Sequence, residues 1–155
     1  MRMIKGLRFT LLLPGLKAQT QKTAFRDIAG RAAPLCGLGP DVLYDLFWKK
    51  EQLVTSGIGQ GVSVMDIRAA GIRKDVLVLG TFDHDIDFDA LDGSPVDLFA
   101  AVISPFSDGP RHLQRLAAVT RLLRNSQICG ALRDAKDEDT MRVLLMPSQR
   151  WMEAA

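Results

Sequence analysis

The sequence contains few of the residues from which disulfide scaffolds and metal sites are built. Its two cysteines, Cys36 and Cys129, lie far apart, and neither belongs to a CxxC pair or to a spacing typical of zinc ligands. A secreted domain of this size that depends on disulfides would normally carry more cysteines. We therefore expect two packed, reduced thiols, a cytosolic location, no metal site and no cofactor.

The sequence also lacks a strong charge excess and a long apolar run. The 20 Lys and Arg residues nearly balance the 18 Asp and Glu residues, and no block of like charge suggests a nucleic-acid or membrane partner. No stretch approaches the ~18 apolar residues of a membrane span. The basic residues before position 9 precede an apolar run that Pro14 ends too early for a signal peptide. Membrane insertion and a signal peptide are therefore not expected.

What is present suits one folded domain. The chain has 155 residues, of which 47% are hydrophobic and 25% charged. That length supports a single well-buried core, and the apolar content argues against disorder. We expect one domain over residues 1–155, with a core at about 8–145 and a tail at 147–155.

Hydrophobic periodicity and turn residues predict alternating strands and helices. Thr20 and Asp137 are predicted as helix N-caps, as is Ser126, and Pro40 and Pro110 are predicted to open helices. A segment at 83–89 is predicted as an acidic turn. Strands are expected at 62–65, 75–82 and 96–103, and a strand or extended arm at 8–13. The pattern predicts an α/β fold with a mixed sheet and helices on both faces.

Two segments have the composition of ligand loops but lack their full patterns. The glycine-rich stretch 55–61 is followed by neither the Lys-Ser/Thr pair nor the helix of a nucleotide-binding loop. The alternating aspartates at 83–89 lack the glycine and glutamate that a calcium loop requires. We interpret the first as a tight structural loop and the second as a solvated turn.

Three motifs occur in a fixed order. Residues 50–68 read KEQLVTSGIGQGVSVMDIR, residues 88–98 read FDALDGSPVDL, and His112-Leu113 opens a helix after a proline-containing loop. In these motifs, over about residues 8–145, the chain resembles the fructose/mannitol-type enzyme IIA of the bacterial phosphotransferase system, and most closely its nitrogen-regulatory branch. The resemblance implies a three-layer α/β/α sandwich and a phosphate relay from a histidine phosphocarrier protein. It also implies that the relay histidine stands at a strand end in a shallow pit.

The resemblance also shows where this sequence departs from the family. Asp66 occupies the position of the phosphate-accepting histidine, whereas His112 matches the second histidine of the pocket. Around them, Met65 replaces proline, Ile67 replaces glycine and Lys50 replaces arginine. The resemblance further implies that pocket or phosphate contacts come from a set of five residues. These are Lys50, Ser56, Gly59, Gly61 and Arg68.

A lysine cannot offer the two-pronged hydrogen bond that arginine gives to phosphate oxygens, and aspartyl acceptors usually depend on Mg²⁺. We therefore expect that the phosphate relay has lapsed. The resemblance also implies that Asp66 and His112 lie within interaction range. The leading hypothesis is a regulator that binds proteins, with the phosphocarrier protein, transporters or sensor kinases as partners. Two alternatives stay open. One is an active phosphocarrier that uses Asp66 or His112, and the other is a sensor of small anions or metabolites.

Overall fold

The computed structural model describes residues 7–146, so the predicted tail at 147–155 lies outside the described residues. The strands are β1 (Leu11–Leu16), β2 (Gly57–Gly59), β3 (Val62–Ala69), β4 (Val76–Ile86) and β5 (Val96–Pro105). The helices are α1 (Gln21–Cys36), α2 (Pro40–Leu53), α3 (Pro110–Leu123), α4 (Ser126–Asp134) and α5 (Glu138–Leu144). A single 3₁₀ turn, Phe106–Asp108, precedes α3.

The five strands form one mixed sheet in the order β1-β4-β5-β3-β2. The pairs β1/β4 and β3/β5 are parallel, whereas β4/β5 and β2/β3 are antiparallel. The long apolar strand that starts near position 75 is interior, as its near-continuous hydrophobicity predicts. Each face of the sheet buries a separate hydrophobic cluster, one beneath α1 and α2 and the other beneath α3, α4 and α5. The predicted mixed α/β fold with helices on both faces is confirmed.

Local signals explain where the first two helices begin and end. The hydroxyl of Thr20 accepts from the Thr23 backbone N–H at 3.1 Å, which confirms the predicted N-cap. Gly37 ends α1 with a left-handed φ of 87° while its N–H donates to the Ala33 carbonyl. Pro40 occupies the first turn of α2, where its missing N–H costs nothing.

Three strands and one helix cap differ from the expectations. Strand β1 starts at Leu11 and continues through Pro14, which an edge strand tolerates because one side of its backbone needs no partner. Strand β3 continues past Met65 to Ala69. The predicted acidic turn is wrong from Asp83 to Ile86, because β4 extends there and re-pairs with Val96 after a bulge, leaving the aspartates in solvent.

The fourth difference is the N-cap of α4. The cap is Asn125 and not the predicted Ser126. The side-chain oxygen of Asn125 accepts from the backbone N–H groups of Gln127 at 3.0 Å and Ile128 at 3.1 Å. Asparagine is as effective a cap as serine, and adjacent capping residues make this position hard to assign from sequence.

Both cysteines are free and buried, as predicted. Cys36 is the last residue of α1 and packs in the first cluster, whereas Cys129 of α4 packs in the second cluster, so the sheet separates them. Burial raises the pKa of each thiol above its ordinary value. The thiols therefore act as small apolar packing groups.

Candidate functional site

Asp66 lies at a partly uncovered edge of the sheet. It is the fifth residue of β3 and pairs with Val102 of β5, so it stands within the strand and not at the strand end that was expected. On the other side, β2 pairs only with Val62 and Ser63. Because side chains alternate along a strand, Asp66 shares the face of Val64, which packs in the cluster beneath α3–α5. The uncovered edge lets groups from both helix layers reach this position.

The carboxylate of Asp66 contacts a basic group from each layer. Its Oδ2 lies 3.2 Å from Nε2 of His112 on α3, and its Oδ1 lies 3.3 Å from Nζ of Lys50 on α2. The predicted proximity of Asp66 and His112 is confirmed. Since a carboxylate only accepts hydrogen bonds, the contact with His112 requires a proton on Nε2. Both oxygens of Asp66 are thus engaged by cationic or hydrogen-donating groups.

His112 is almost fully enclosed, with 2% of its surface exposed. It stands in the first turn of α3, where its backbone N–H donates to Gly109 at 3.2 Å. Within residues 7–146, its Nδ1 is buried and has no hydrogen-bond partner. With Nε2 protonated and directed at Asp66, the lone pair of the neutral ring lies on this enclosed nitrogen.

A network of ion pairs holds the 3₁₀ turn that leads into α3. Nη1 of Arg115 lies 2.6 Å from Asp108 and donates to the hydroxyl of Ser104 at 3.0 Å. Arg111 also pairs with Asp108, at 3.4 Å. Ser104 is fully buried and pairs with Arg68 across the β3/β5 ladder. The network fixes the start of α3, and therefore the position of His112, relative to β3.

Asp66 and His112 open into a pocket of about 350 Å³. Its cations, Lys49, Lys50 and Arg68, outnumber its single carboxylate. Its rim is apolar and strongly exposed, with Leu53 82% exposed, Phe106 61% and Leu113 60%. Leu46 and Ile67 complete the lining. Of the residues predicted from the sequence, the structure brings Asp66, His112, Lys50 and Arg68 together here.

The other three predicted pocket residues, Ser56, Gly59 and Gly61, lie elsewhere. The Ser56 hydroxyl is buried against Ser63 at 2.9 Å, and the Ser56 N–H donates to the Glu51 carboxylate at 3.2 Å. This contact anchors the glycine-rich loop to the end of α2. The role of Ser56 is therefore to hold the helix end next to Lys50, and the expectation that it lines the pocket is wrong.

The two glycines form the turn between β2 and β3. Gly59 has φ 103° and Gly61 has φ 81°, values that L side chains rarely adopt. Between them, the N–H of Gln60 donates to Asp92 at 2.9 Å, which lowers the pKa of that carboxyl. A Cβ on Gly61 would approach Arg133 Nη2 to 2.8 Å. The glycines permit a tight turn that contacts Asp92 and Arg133, away from Asp66.

Sequence reasoning missed the apolar rim and one cation of the pocket. Lys49 directly precedes the first motif, which begins at Lys50, so its position next to a predicted pocket residue could have indicated a second cation there. The sequence gives no signal for the exposure of Leu53, Phe106 and Leu113, because an apolar pattern does not tell which residues a neighbouring element will leave uncovered.

Comparison with known proteins identifies the family. Residues 10–146 match the sequence model of the family described as "Phosphoenolpyruvate-dependent sugar phosphotransferase system, EIIA 2". The chain belongs to this family. It is 33% identical over 137 residues to a nitrogen regulatory protein of Bradyrhizobium diazoefficiens, covering 88% of this chain and 90% of that protein. It is 29% identical over 135 residues to the nitrogen regulatory protein of Escherichia coli, covering 84% and 81%.

Solved structures agree on the fold. The nitrogen regulatory protein IIA-Ntr of Neisseria meningitidis superposes with a TM-score of 0.81 at 21% identity, over 93% of this chain and 94% of that one. The IIA mannitol protein of Escherichia coli superposes with a TM-score of 0.72 at 17% identity, over 86% and 94%. The expected resemblance to the nitrogen-regulatory branch is confirmed by these relatives in sequence.

Membership of this family implies interaction with other proteins of the phosphotransferase system. None of the helices within residues 7–146 is both long enough and apolar enough to cross a membrane.

Proposed function

We propose that this enzyme IIA-like protein regulates partner proteins by binding them and does not carry phosphate. The observation that supports the proposal is that one oxygen of Asp66 contacts His112 and the other contacts Lys50. In a relay pocket, a basic group beside the acceptor would stabilise a transferred phosphoryl group. Here the carboxylate of Asp66 already neutralises the charge of Lys50 and accepts from Nε2 of His112, so both groups stabilise a phosphoryl group less than they would beside a neutral acceptor.

His112 is poorly placed to serve as the acceptor itself. Attack on phosphorus requires an unprotonated ring nitrogen that the donor can approach in line. Nε2 lies 3.2 Å from the Asp66 carboxylate, a contact in which it donates a proton, and Nδ1 is buried. Phosphorylation of His112 would therefore require loss of the Asp66 contact, if Nε2 is the acceptor, or opening of the helix start, if Nδ1 is the acceptor.

Asp66 is an unfavourable acceptor for a different reason. When a negatively charged phosphoryl group approaches a carboxylate, a nearby positive charge must offset the repulsion between them. Aspartyl acceptors usually obtain this charge from a divalent cation. Within residues 7–146, no cluster of three or more His, Cys, Asp or Glu side chains is arranged to hold a metal ion. Lys50 is the one cation in direct contact with this carboxylate among the described residues.

The direct test is phosphate transfer to the unaltered chain. After incubation with phosphoenolpyruvate, the first enzyme of the system and the histidine phosphocarrier protein, we expect its intact mass to stay unchanged. A nitrogen regulatory relative that keeps its histidine serves as the positive control and should gain the mass of one phosphoryl group. Spectra should be recorded promptly at neutral pH, because acyl phosphates hydrolyse. An adduct that disappears in Asp66→Asn or in His112→Gln would establish the active phosphocarrier instead.

The rim of the pocket supports the protein-binding half of the proposal. Leu53, Phe106 and Leu113 surround the cations of the pocket and expose more than half of their surface. Exposed apolar side chains around a charged centre are typical of protein interfaces. In the proposed function, this rim docks the histidine phosphocarrier protein or, in the cytosol, a transporter or sensor kinase.

Leu113→Glu is expected to weaken docking of the purified phosphocarrier protein by about tenfold or more, since it introduces a charge into an apolar contact. Leu91→Glu is the matched control because Leu91 is 91% exposed and does not line the pocket. Titration calorimetry measures both affinities, and the control should change by less than about twofold. Equal losses in the two variants would place docking elsewhere, and absence of binding by the unaltered chain would remove the phosphocarrier protein as a partner.

A further inference from the structure

A second, larger cleft lies far from Asp66. It has a volume of about 540 Å³ and lies where the carboxyl end of β1 and the middle of β4 meet the connection between α4 and α5. Asp97, at the start of β5, lines this cleft, whereas Asp66 pairs with Val102 five residues further along that strand. The rise of a β-strand puts these two positions about 16 Å apart along the sheet. The two pockets share no lining residue.

Two ion pairs stand in the lining of the cleft. Lys17 pairs with Asp83, and Arg133 Nε pairs with Asp97 at 2.9 Å. The Lys17 ammonium is the main cause that lowers the pKa of the Asp83 carboxyl, so this group is ionised at neutral pH. The two carboxylates are thus neutralised by partners that belong to the protein.

A third cation, Lys136, lines the same cleft without such a partner. Among residues 7–146 it makes no ion pair, although it lies close enough to Asp83 to contribute to lowering that pKa. The cleft therefore holds three cations against two carboxylates. An incoming anion gains from Lys136 without displacing an existing pair.

Further groups in the lining are already oriented. Arg133 Nη2 donates to the Gln60 carbonyl at 2.9 Å, so two contacts hold the guanidinium in place. The hydroxyl of Thr81 accepts from the Gly15 N–H at 2.9 Å. That hydroxyl keeps its own hydrogen for donation, because the bond to Gly15 uses only its oxygen. Oriented donors reduce the entropy lost when a ligand binds.

We propose that this cleft binds a small anion that carries a carboxylate or phosphate group. Lys136, which makes no ion pair within residues 7–146, provides a charge for the ligand, and Thr81 and the guanidinium of Arg133 provide oriented donors. Asp66 does not contribute to this cleft, so whether it accepts phosphate does not affect anion binding here. The anion-binding proposal can therefore be tested separately from the proposed function. It also differs from an anion sensor built on the Asp66 pocket, because the cations involved are different.

The test compares one lysine in each pocket. Inorganic phosphate and succinate are titrated separately into the full chain at constant ionic strength, with chloride as the balancing ion. Affinity is taken from amide chemical shifts, and melting temperature is followed in parallel. At a ligand concentration ten times Kd we expect the melting temperature to rise by about 4 °C. Shifts should centre on Gly15, Thr81 and Ala135, and the tighter of the two anions identifies the chemical group.

Lys136→Gln is expected to raise Kd by about tenfold. Lys50→Gln, which removes a cation from the Asp66 pocket, should change Kd by less than about twofold. Lys136 makes no ion pair within the described part of the chain, so its replacement should not disturb the fold. A Kd that rises at least about five times more in Lys136→Gln than in Lys50→Gln supports the proposal. A smaller ratio, or no saturable binding of either anion, overturns it.

Discussion

Asp66→His is expected to make the chain accept a phosphoryl group that the unaltered chain does not take. The substitution supplies an imidazole at the position where the family keeps its relay histidine. It also releases His112 and Lys50 from the carboxylate, so that both can donate to phosphate oxygens. In the transfer, the P–N bond on the phosphocarrier protein breaks as a P–N bond to residue 66 forms. Intact mass after incubation with the complete donor system measures the product.

Asp66→Asn is the matched control for this experiment. It removes the same negative charge and likewise releases His112 and Lys50, but it supplies no nucleophilic nitrogen. We expect an adduct at least about tenfold more abundant in Asp66→His than in Asp66→Asn. If neither variant gains phosphate, the pocket has lost more than its acceptor, and restoring the histidine alone is insufficient.

The structure favours this single substitution over a fuller restoration of the family motif. Adding Met65→Pro and Ile67→Gly would remove two side chains that are buried in the cluster beneath α1 and α2. Deleting a buried isoleucine costs roughly 3–5 kcal/mol, a large share of the stability of a small domain. Ile67 does not have a positive φ, so its backbone does not require glycine. An inactive triple variant would therefore say little about the pocket.

Gly80→Ala is expected to lower the free energy of unfolding by about 3 kcal/mol, equivalent to a fall in melting temperature of roughly 10 °C. Gly80 lies in the interior strand β4. A Cβ there would stand 2.6 Å from the ring of Phe99 and 2.8 Å from the Leu13 carbonyl oxygen. The Phe99 ring is buried and stacks on Phe82 with centroids 5.0 Å apart, so it cannot easily move aside. Denaturation with urea, monitored by circular dichroism, measures the change.

Gly30→Ala is the opposite case and serves as the control. Gly30 lies inside α1, and a Cβ at this position would meet nothing within 4 Å. Alanine there should raise the free energy of unfolding by about 0.5–1 kcal/mol, because it restricts the unfolded chain and favours the helix. A loss below about 1 kcal/mol in Gly80→Ala would show that β4 and β5 can separate enough to admit a methyl group.

Elements with strong local signals were predictable. Thr20, Pro40 and Asp137 mark helix starts through hydrogen bonds or a fixed φ that involve only neighbouring residues, and all three start helices as predicted. The acidic stretch at 83–86 misled the prediction. Its aspartates suggest a turn by composition, but pairing of Ile86 with Val96 continues the strand. Strand pairing joins residues distant in the chain, and composition within a window does not detect it.

The residues of the candidate site were also predicted only in part from the sequence. The motifs placed Asp66 and His112 near each other, and the structure confirms this with a distance of 3.2 Å. The glycines at 59 and 61 belong to the same motif but lie away from the pocket, because the turn between β2 and β3 directs them toward Asp92 and Arg133. Motif membership shows which residues occur together in a family, but it does not show which of them face one cavity.

By itself, the sequence determined the family, the mixed α/β class and the carboxylate at position 66, because these follow from residue identity, periodicity and motif order. Only the tertiary structure decided that β2 leaves the edge of β3 uncovered at Asp66, so that Lys50 and His112 reach one carboxylate from opposite helix layers. The same holds for the second cleft, whose cations come from the segment after β1, from α4 and from the segment after α4. Such sites depend on contacts between distant segments, and these contacts form only when the sheet and its two helix layers pack together.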